Sequence, residues 1–193
     1  KGVLPLLSDP KRIIYVDGPG KHGATHTGMA DSLAPMTSLP DVHPDTVCYY
    51  NYTSGTTGKP KGAITTHRNI VANAEDTIEA MGFRADDVFL GMFSVFAHPH
   101  ELFHRSLMLG SPFVILDTMS PRVVAAAVER FKVCWMMAVP SFYEMMLDFG
   151  GPGDQLGRHD LSSLRVLEAG GAYVGGEALA RMERQFSARF MPV

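Results

Sequence analysis

Between Tyr52 and Gly62 the chain reads YTSGTTGKPKG, with three glycines, four serine or threonine hydroxyls and two lysines in eleven positions. Gly55, Gly58 and Gly62 free the backbone to take positive φ and to approach a ligand closely. Thr53, Ser54, Thr56 and Thr57 add hydroxyls to the amide N–H groups of such a loop, which together make a nest for anionic oxygens. Lys59 and Lys61 supply ammonium charge to neutralise a polyphosphate, and Pro60 between them stops the loop from continuing as helix. The P-loop pattern G-x-x-x-x-G-K-[ST] does not fit, because only two residues separate Gly55 from Gly58 and Pro60 stands where the Mg2+-binding hydroxyl would follow the lysine. Phosphate binding by a loop of another kind is the chemistry these residues suit.

Such a loop works only if stiff elements hold its ends. The apolar-rich VCYYN precedes it and AITTHRNIVAN comes after it, which reads as a strand handing over to a helix at about residues 69–81. Beyond it the pattern alternates: strand DVFLGMFS, helix HELFHRSLML, strand PFVILD, helix PRVVAAAVERF, strand VCWMMAV, helix SFYEMMLDF. A Gly-rich break at 150–157 comes next, then strand LRVLEAG and helix EALARMERQFSARF. Strands alternating with amphipathic helices imply βαβ units, so the expected class is α/β, with a mainly parallel sheet and helices on both faces. Ligands in such folds bind beyond the carboxyl ends of the strands, where residues 53–62 and 170–176 are both expected.

Two punctuators support the helix starts: Pro121 behind Ser120, and Ser141 behind Pro140. The domain expectation is an N-terminal strand and long connection over 1–46, with one strand at 12–16 and one helical turn near 31–33. A partial α/β domain then runs over 47–193.

The 193 residues are 46% hydrophobic, enough for a sizeable core, and carry a formal charge of −3 with the basic residues scattered. That distribution argues against nucleic acid or an anionic membrane surface as partner. No apolar run reaches the roughly 18 residues of a membrane span. Cys48 and Cys134 each sit in a strand-like run and read as buried free thiols, consistent with a reducing, cytoplasmic setting. Trp135 and Tyr143 read as core residues, the Met-rich stretches as adaptable filling, and Glu168 as a surface or strand-end carboxylate.

The segment YTSGTTGKPKGAITTHRN resembles the signature phosphate loop of the adenylate-forming (AMP-binding) superfamily, which includes acyl-CoA synthetases, luciferases and peptide-synthetase adenylation domains. Further segments are similar in the same order: DVFLGMFSVFAHPHEL to the substrate-side segment, AVPSFYEMML to the "VPT" segment, and LSSLRVLEAGGAYVGGEAL to the "GGAPL" segment. The resemblance implies part of the large N-terminal domain of such an enzyme. It implies an acid–thiol ligase in which a small-molecule carboxylic acid attacks the α-phosphate of Mg2+-ATP and a thiol, commonly coenzyme A, takes the acyl group. Carried over residue by residue, Thr53, Ser54, Gly55, Thr56, Thr57, Gly58, Lys59 and Lys61 hold the β- and γ-phosphates, with Lys61 and Thr56 closest to the catalytic role. Gly170, Gly171 and Ala172 line the nucleotide and acyl pocket, and no residue is assigned as a metal ligand.

The chain also departs from the family pattern. It ends at RFMPV, before the "YGxTE" motif, the ribose-binding Asp and the small domain with the catalytic Lys, so a fragment inactive by itself is expected. At the acyl site the sequence reads FSVFAHPHEL, leaving either His98 or His100 as the residue facing the acid, with ordinary solvated or capping histidines as the competing reading. Tyr173 replaces the usual Pro after GGA. No Asp lies between Val88 and Leu116 to pair with a substrate ammonium, which favours a simple carboxylic acid over an amino acid. Two other readings stand beside the ligase: a non-catalytic nucleotide-binding or interaction module, and a peptide-synthetase adenylation domain.

Overall fold

The structure, a computed structural model, describes residues 14–15, 24–25, 33–34, 37–53, 58–92, 104–148 and 159–192. The chain divides into two compact units, Lys1–Val42 and His43–Val193. In the first, β1 (Ile14–Tyr15) pairs in parallel with β2 (Ala24–Thr25). The strand expected at 12–16 is present in part. The pairing at 24–25 was not expected, since Gly and Pro there break any visible period. The helical turn near 31–33 falls largely outside the described residues.

The second unit begins with a hairpin. β3 (Val47–Thr53) pairs antiparallel with β4 (Lys61–Thr66), and β4 runs directly into α1 (His67–Met81). Next come β5 (Val88–Gly91), α2 (His104–Leu109), β6 (Phe113–Ile115), α3 (Pro121–Phe131), β7 (Val133–Ala138) and α4 (Pro140–Asp148). The unit closes with β8 (Val166–Ala169), α5 (Gly176–Phe186) and β9 (Arg189–Pro192). Five strands form one all-parallel sheet in the order β6-β5-β7-β8-β9.

Period-two alternation explains the layers. Phe89, Trp135, Met137 and Val166 turn to one face, where they meet Phe83, Ile78 and Met81 around α1 and Leu109 of α2. Leu90, Met136, Ala138, Leu167 and Ala169 turn to the other, against Val124 and Val128 of α3, Phe142 and Met146 of α4, and Met182 and Phe186 of α5. Helices therefore cover both faces, and the central strands β5 and β7 are apolar along nearly their whole length because neither face meets water. One bulge adjusts the pattern: Val88 pairs with Val133 but Phe89 with Trp135, leaving Cys134 as the extra residue. Val133 and Trp135 consequently face opposite layers, and Cys134 is only half-buried.

Four expectations are corrected. The residues after the glycine loop form a strand before the helix: KGAITT has the alternation and β-branched content of a short strand, masked in the sequence by its Lys and Gly. β3 and β4 make their own two-stranded sheet and are not part of the parallel one. The last helix stops at Phe186, with Ser187 in the left-handed region at φ 50°, and Arg189–Pro192 adds an edge strand beside β8. Cys48 is exposed on the hairpin, not buried.

Local signals place the helix starts. Thr66 caps α1 through a reciprocal box: its hydroxyl accepts from the Asn69 backbone N–H at 3.3 Å, and the Asn69 side-chain oxygen accepts from the Thr66 N–H at 3.0 Å. Ser120 and Pro121 open α3 as expected, although the Ser120 side chain makes no capping bond. Trp135 and Tyr143 are core residues as expected. The Tyr143 hydroxyl donates toward the carbonyls of Met136 at 3.1 Å and Glu168 at 2.8 Å, and burial holds its pKa well above the ordinary phenol value.

Leu90 is fully buried where β5 meets the α3 layer, whereas Val123 points outward from α3. Leu90→Ala is expected to cost about 2–5 kcal/mol and Val123→Ala less than about 0.5 kcal/mol. Urea unfolding followed by the emission of Trp135, the chain's single tryptophan, checks the difference.

Candidate functional site

The glycine loop closes the β3–β4 hairpin, between Thr53 and Lys61, which pair across the two strands. Its base is tied down at several points. The Arg68 side chain donates to Asp45 at 2.7 Å, Arg68 N–H donates to the Pro44 carbonyl at 2.8 Å, and His67 N–H to the Thr46 carbonyl at 3.2 Å. The hydrogen bond from Arg68 holds the Asp45 carboxyl below its ordinary range. These bonds fix the junction of β4 with α1 to the entry of β3, so the two strands deliver the loop from a firm base.

Toward the tip the character changes. Gly58 has φ 78°, a region L side chains avoid, and among the described residues no atom lies within 4 Å of the position a Cβ would take there. Lys59, Pro60 and Lys61 are exposed. Gly62, expected to supply the same freedom, serves a different purpose: it lies within β4 opposite Tyr52, and a Cβ there would come within 3.3 Å of the Tyr52 ring. A bare positive-φ backbone flanked by two solvated ammonium groups suits oxygens of a polyphosphate. Ser54, Gly55, Thr56 and Thr57 lie outside the described residues, as do His98 and His100 and the Gly-rich break at 150–157. Of Thr53 only the backbone is described, as the last residue of β3.

The second glycine segment comes after β8. Gly170 N–H donates to the Ala138 carbonyl at 3.3 Å, extending the β7–β8 ladder by one residue. Gly171 turns the chain away with φ 83°, packed near Val139. Ala172 is exposed, Tyr173 is 93% exposed, and α5 starts at Gly176 behind the Gly175 N-cap. The 170–172 turn thus lies at the carboxyl end of a parallel strand, the end at which ligands bind in open α/β sheets. Because the phosphate loop belongs to a separate sheet, the expectation that both segments share one sheet edge does not hold. Among the described residues no hydrogen bond or ion pair joins 58–61 to 170–173.

Among the described residues no group of three or more His, Cys, Asp or Glu is arranged to hold a metal ion, and no helix is long and apolar enough to cross a membrane. One polar feature is not visible in the sequence pattern. Glu168, expected as a surface or strand-end carboxylate, does lie near the end of β8 but is buried, and its carboxylate pairs with Arg105 at 2.7 Å. Two opposite charges, one inside the apolar strand VLEA and one inside the helix HRSLML, were the available signal. Elsewhere, surface pairs fasten the approach to β8: Lys132 to Asp160 at 2.8 Å, His159 to Glu129 at 2.6 Å, and Arg165 to the buried Asp87. Hydrogen bonding from His159 lowers the Glu129 pKa, and that from Lys132 lowers the Asp160 pKa.

Comparison with known proteins agrees with this fold. The family described as AMP-binding enzyme matches residues 3–192. A 4-coumarate–CoA ligase from Pinus taeda is 28% identical over 192 residues, covering 94% of this chain and 34% of the relative. A feruloyl-CoA synthase from an Amycolatopsis species is 32% identical over 146 residues, covering 71% of this chain and 28% of the relative. The chain therefore spans about a third of the length of the curated relatives it matches. Among solved structures, the inhibitor-bound N-terminal domain of FACL13 from Mycobacterium tuberculosis superimposes with a TM-score of 0.74 at 22% identity, over 88% of this chain and 42% of that one. With a family match across nearly its whole length, a shared fold and the glycine loop on its hairpin, the chain belongs to the AMP-binding, adenylate-forming enzymes.

Proposed function

We propose that this chain, as part of a longer polypeptide, is the phosphate- and acid-binding portion of an AMP-forming acid–thiol ligase of the acyl-CoA synthetase type. In this reading residues 47–193 are a partial AMP-binding domain preceded by the connection over 1–46, acting in the cytoplasm. ATP enters as its Mg2+ complex. The carboxylate oxygen of a small acid attacks the α-phosphorus, pyrophosphate leaves, and the coenzyme A thiol then attacks the acyl carbonyl with release of AMP. The observation that carries the proposal is the loop tip, where Gly58 at positive φ and the exposed Lys59 and Lys61 stand on an anchored hairpin. The names of the relatives, which are CoA ligases and synthases, support a thiol acceptor of that kind.

Phosphoryl chemistry of this type needs positioning and charge neutralisation more than covalent help. Thr53, Ser54, Gly55, Thr56, Thr57, Gly58, Lys59 and Lys61 supply these for the β- and γ-phosphates, with Lys61 and Thr56 in the catalytic role. Gly170, Gly171 and Ala172 face the nucleotide and acyl group with backbone, while Tyr173 and either His98 or His100 face the acid. The absence of Asp between Val88 and Leu116 favours an acid without an ammonium group.

Acid-dependent exchange of labelled pyrophosphate into ATP tests the reading. The longer polypeptide is expected to exchange, and the 193-residue chain alone is expected to give none. No exchange with any acid by the longer polypeptide would leave a nucleotide-binding module as the better description.

In the longer polypeptide Lys61→Ala is expected to slow exchange by about 10²-fold or more, in the range seen when a group stabilising transition-state charge is removed. Its thermal midpoint should stay nearly unchanged, because Lys61 is exposed and its loss opens no cavity. Equal losses of folding and activity would make the loop structural. Ala172→Leu should penalise longer or wider acids far more than short ones, because added volume excludes by overpacking. A kcat/KM series over linear and aromatic acids reads this, and a single common factor for all acids would move the acyl pocket elsewhere.

A further inference from the structure

The carboxylate of Glu168 sits inside an otherwise apolar strand, on the sheet face covered by α1 and α2. It accepts from Arg105 twice, at 2.7 Å from Nη1 and 3.3 Å from Nη2, and the two side chains are 5% and 2% exposed for Arg105 and Glu168. The Arg105 guanidinium also lies over the Trp135 ring, 5.3 Å from its centroid. Among the described residues Arg105 Nε and Trp135 Nε1 find no acceptor, so the guanidinium is held by Glu168 and the indole face and by no wider polar network.

Position in the fold sets this pair apart from the surface pairs. Arg105 is the second residue of α2, which begins directly after 93–103, the stretch containing His98 and His100. Glu168 lies two residues before Gly170 and the turn at the end of β8. The pair therefore bolts together the two elements that lead to both acid-side segments. Stability alone does not account for it, since apolar side chains of similar volume hold two elements at least as firmly as a buried ion pair. What the fork adds is direction: two parallel hydrogen bonds fix the plane and spacing of the groups they join.

Resting on the acid–thiol ligase reading, we propose that Arg105 and Glu168 are a positioning pair that sets the spacing between the start of α2 and the end of β8, and through it the range of acids the enzyme accepts. Neither residue is assigned contact with the acid.

Removing one partner would leave a buried charge, so two other variants of the longer polypeptide are used. R105M/E168L removes both charges at similar volume, and R105K keeps the charge but loses the fork. Urea midpoints, KM for ATP, and kcat/KM over a series of acids of graded length and width are measured for each. R105M/E168L is expected to unfold at or above the wild-type midpoint and to leave KM for ATP within about twofold. Its kcat/KM for the best acid should fall about tenfold, with a narrower spread between best and worst acids. R105K should narrow the spread in the same direction by a smaller factor, and it decides the question if the double variant does not fold. A folded variant with the wild-type acid ranking and spread makes the pair merely structural and overturns the proposal. Active wild type with unchanged variants sinks this inference alone, whereas wild type inactive with every acid sinks it together with the ligase reading.

Discussion

A parallel sheet covered on both sides allows its strands no wet face. β5, β7 and β8 meet this condition with side chains that alternate between the α1–α2 layer and the α3–α5 layer. Phe89 and Trp135 supply the aromatic bulk on one side, packed with ring centroids 5.2 Å apart, and Leu90, Met136 and Leu167 supply the other. The elements around the parallel sheet depend on this arrangement. The 170–172 turn is placed because the β7–β8 ladder continues to Gly170, and the helices are placed because each must cover one of the two faces.

Within that rule Glu168 is the exception. A lone carboxylate between two apolar layers would face a desolvation cost of several kcal/mol, on the order of that for any buried ion. Arg105 offsets it with a charge-assisted fork, and the face of Trp135 accommodates the remaining guanidinium surface. A charge tolerated at this cost on the strand leading to the glycine turn adds a fixed plane and spacing that another leucine would not. The glycine loop presents the opposite case. Its described residues Gly58, Lys59, Pro60 and Lys61 are exposed, and the hairpin that carries them is held at its base, through Asp45, Arg68 and the Thr66–Asn69 capping box.

Much of this was legible in the residues themselves. The strands at β5, β6, β7 and β8 and the helices α1, α3 and α4 announce themselves through apolar runs and 3.6-residue periodicity, both set by local chemistry. The loop was legible because its run of Gly, Ser, Thr and Lys breaks the apolar periodicity on either side of it. By contrast, β4 and β9 are short segments whose polar residues hide their alternation, and they become strands only because a partner strand lies beside them.

Pairing across long sequence separations was likewise out of reach. Nothing near Glu168 names Arg105, 63 positions away, and nothing near Cys48 says that its strand belongs to a hairpin exposed to solvent. The sequence by itself determined the α/β class, the residue types of the glycine loop and the order of most of the elements, since each rests on composition and spacing within a few residues. Only the tertiary structure decided which sheet carries the loop, which faces the strands cover and which charges are buried, because those depend on what the folded chain brings alongside.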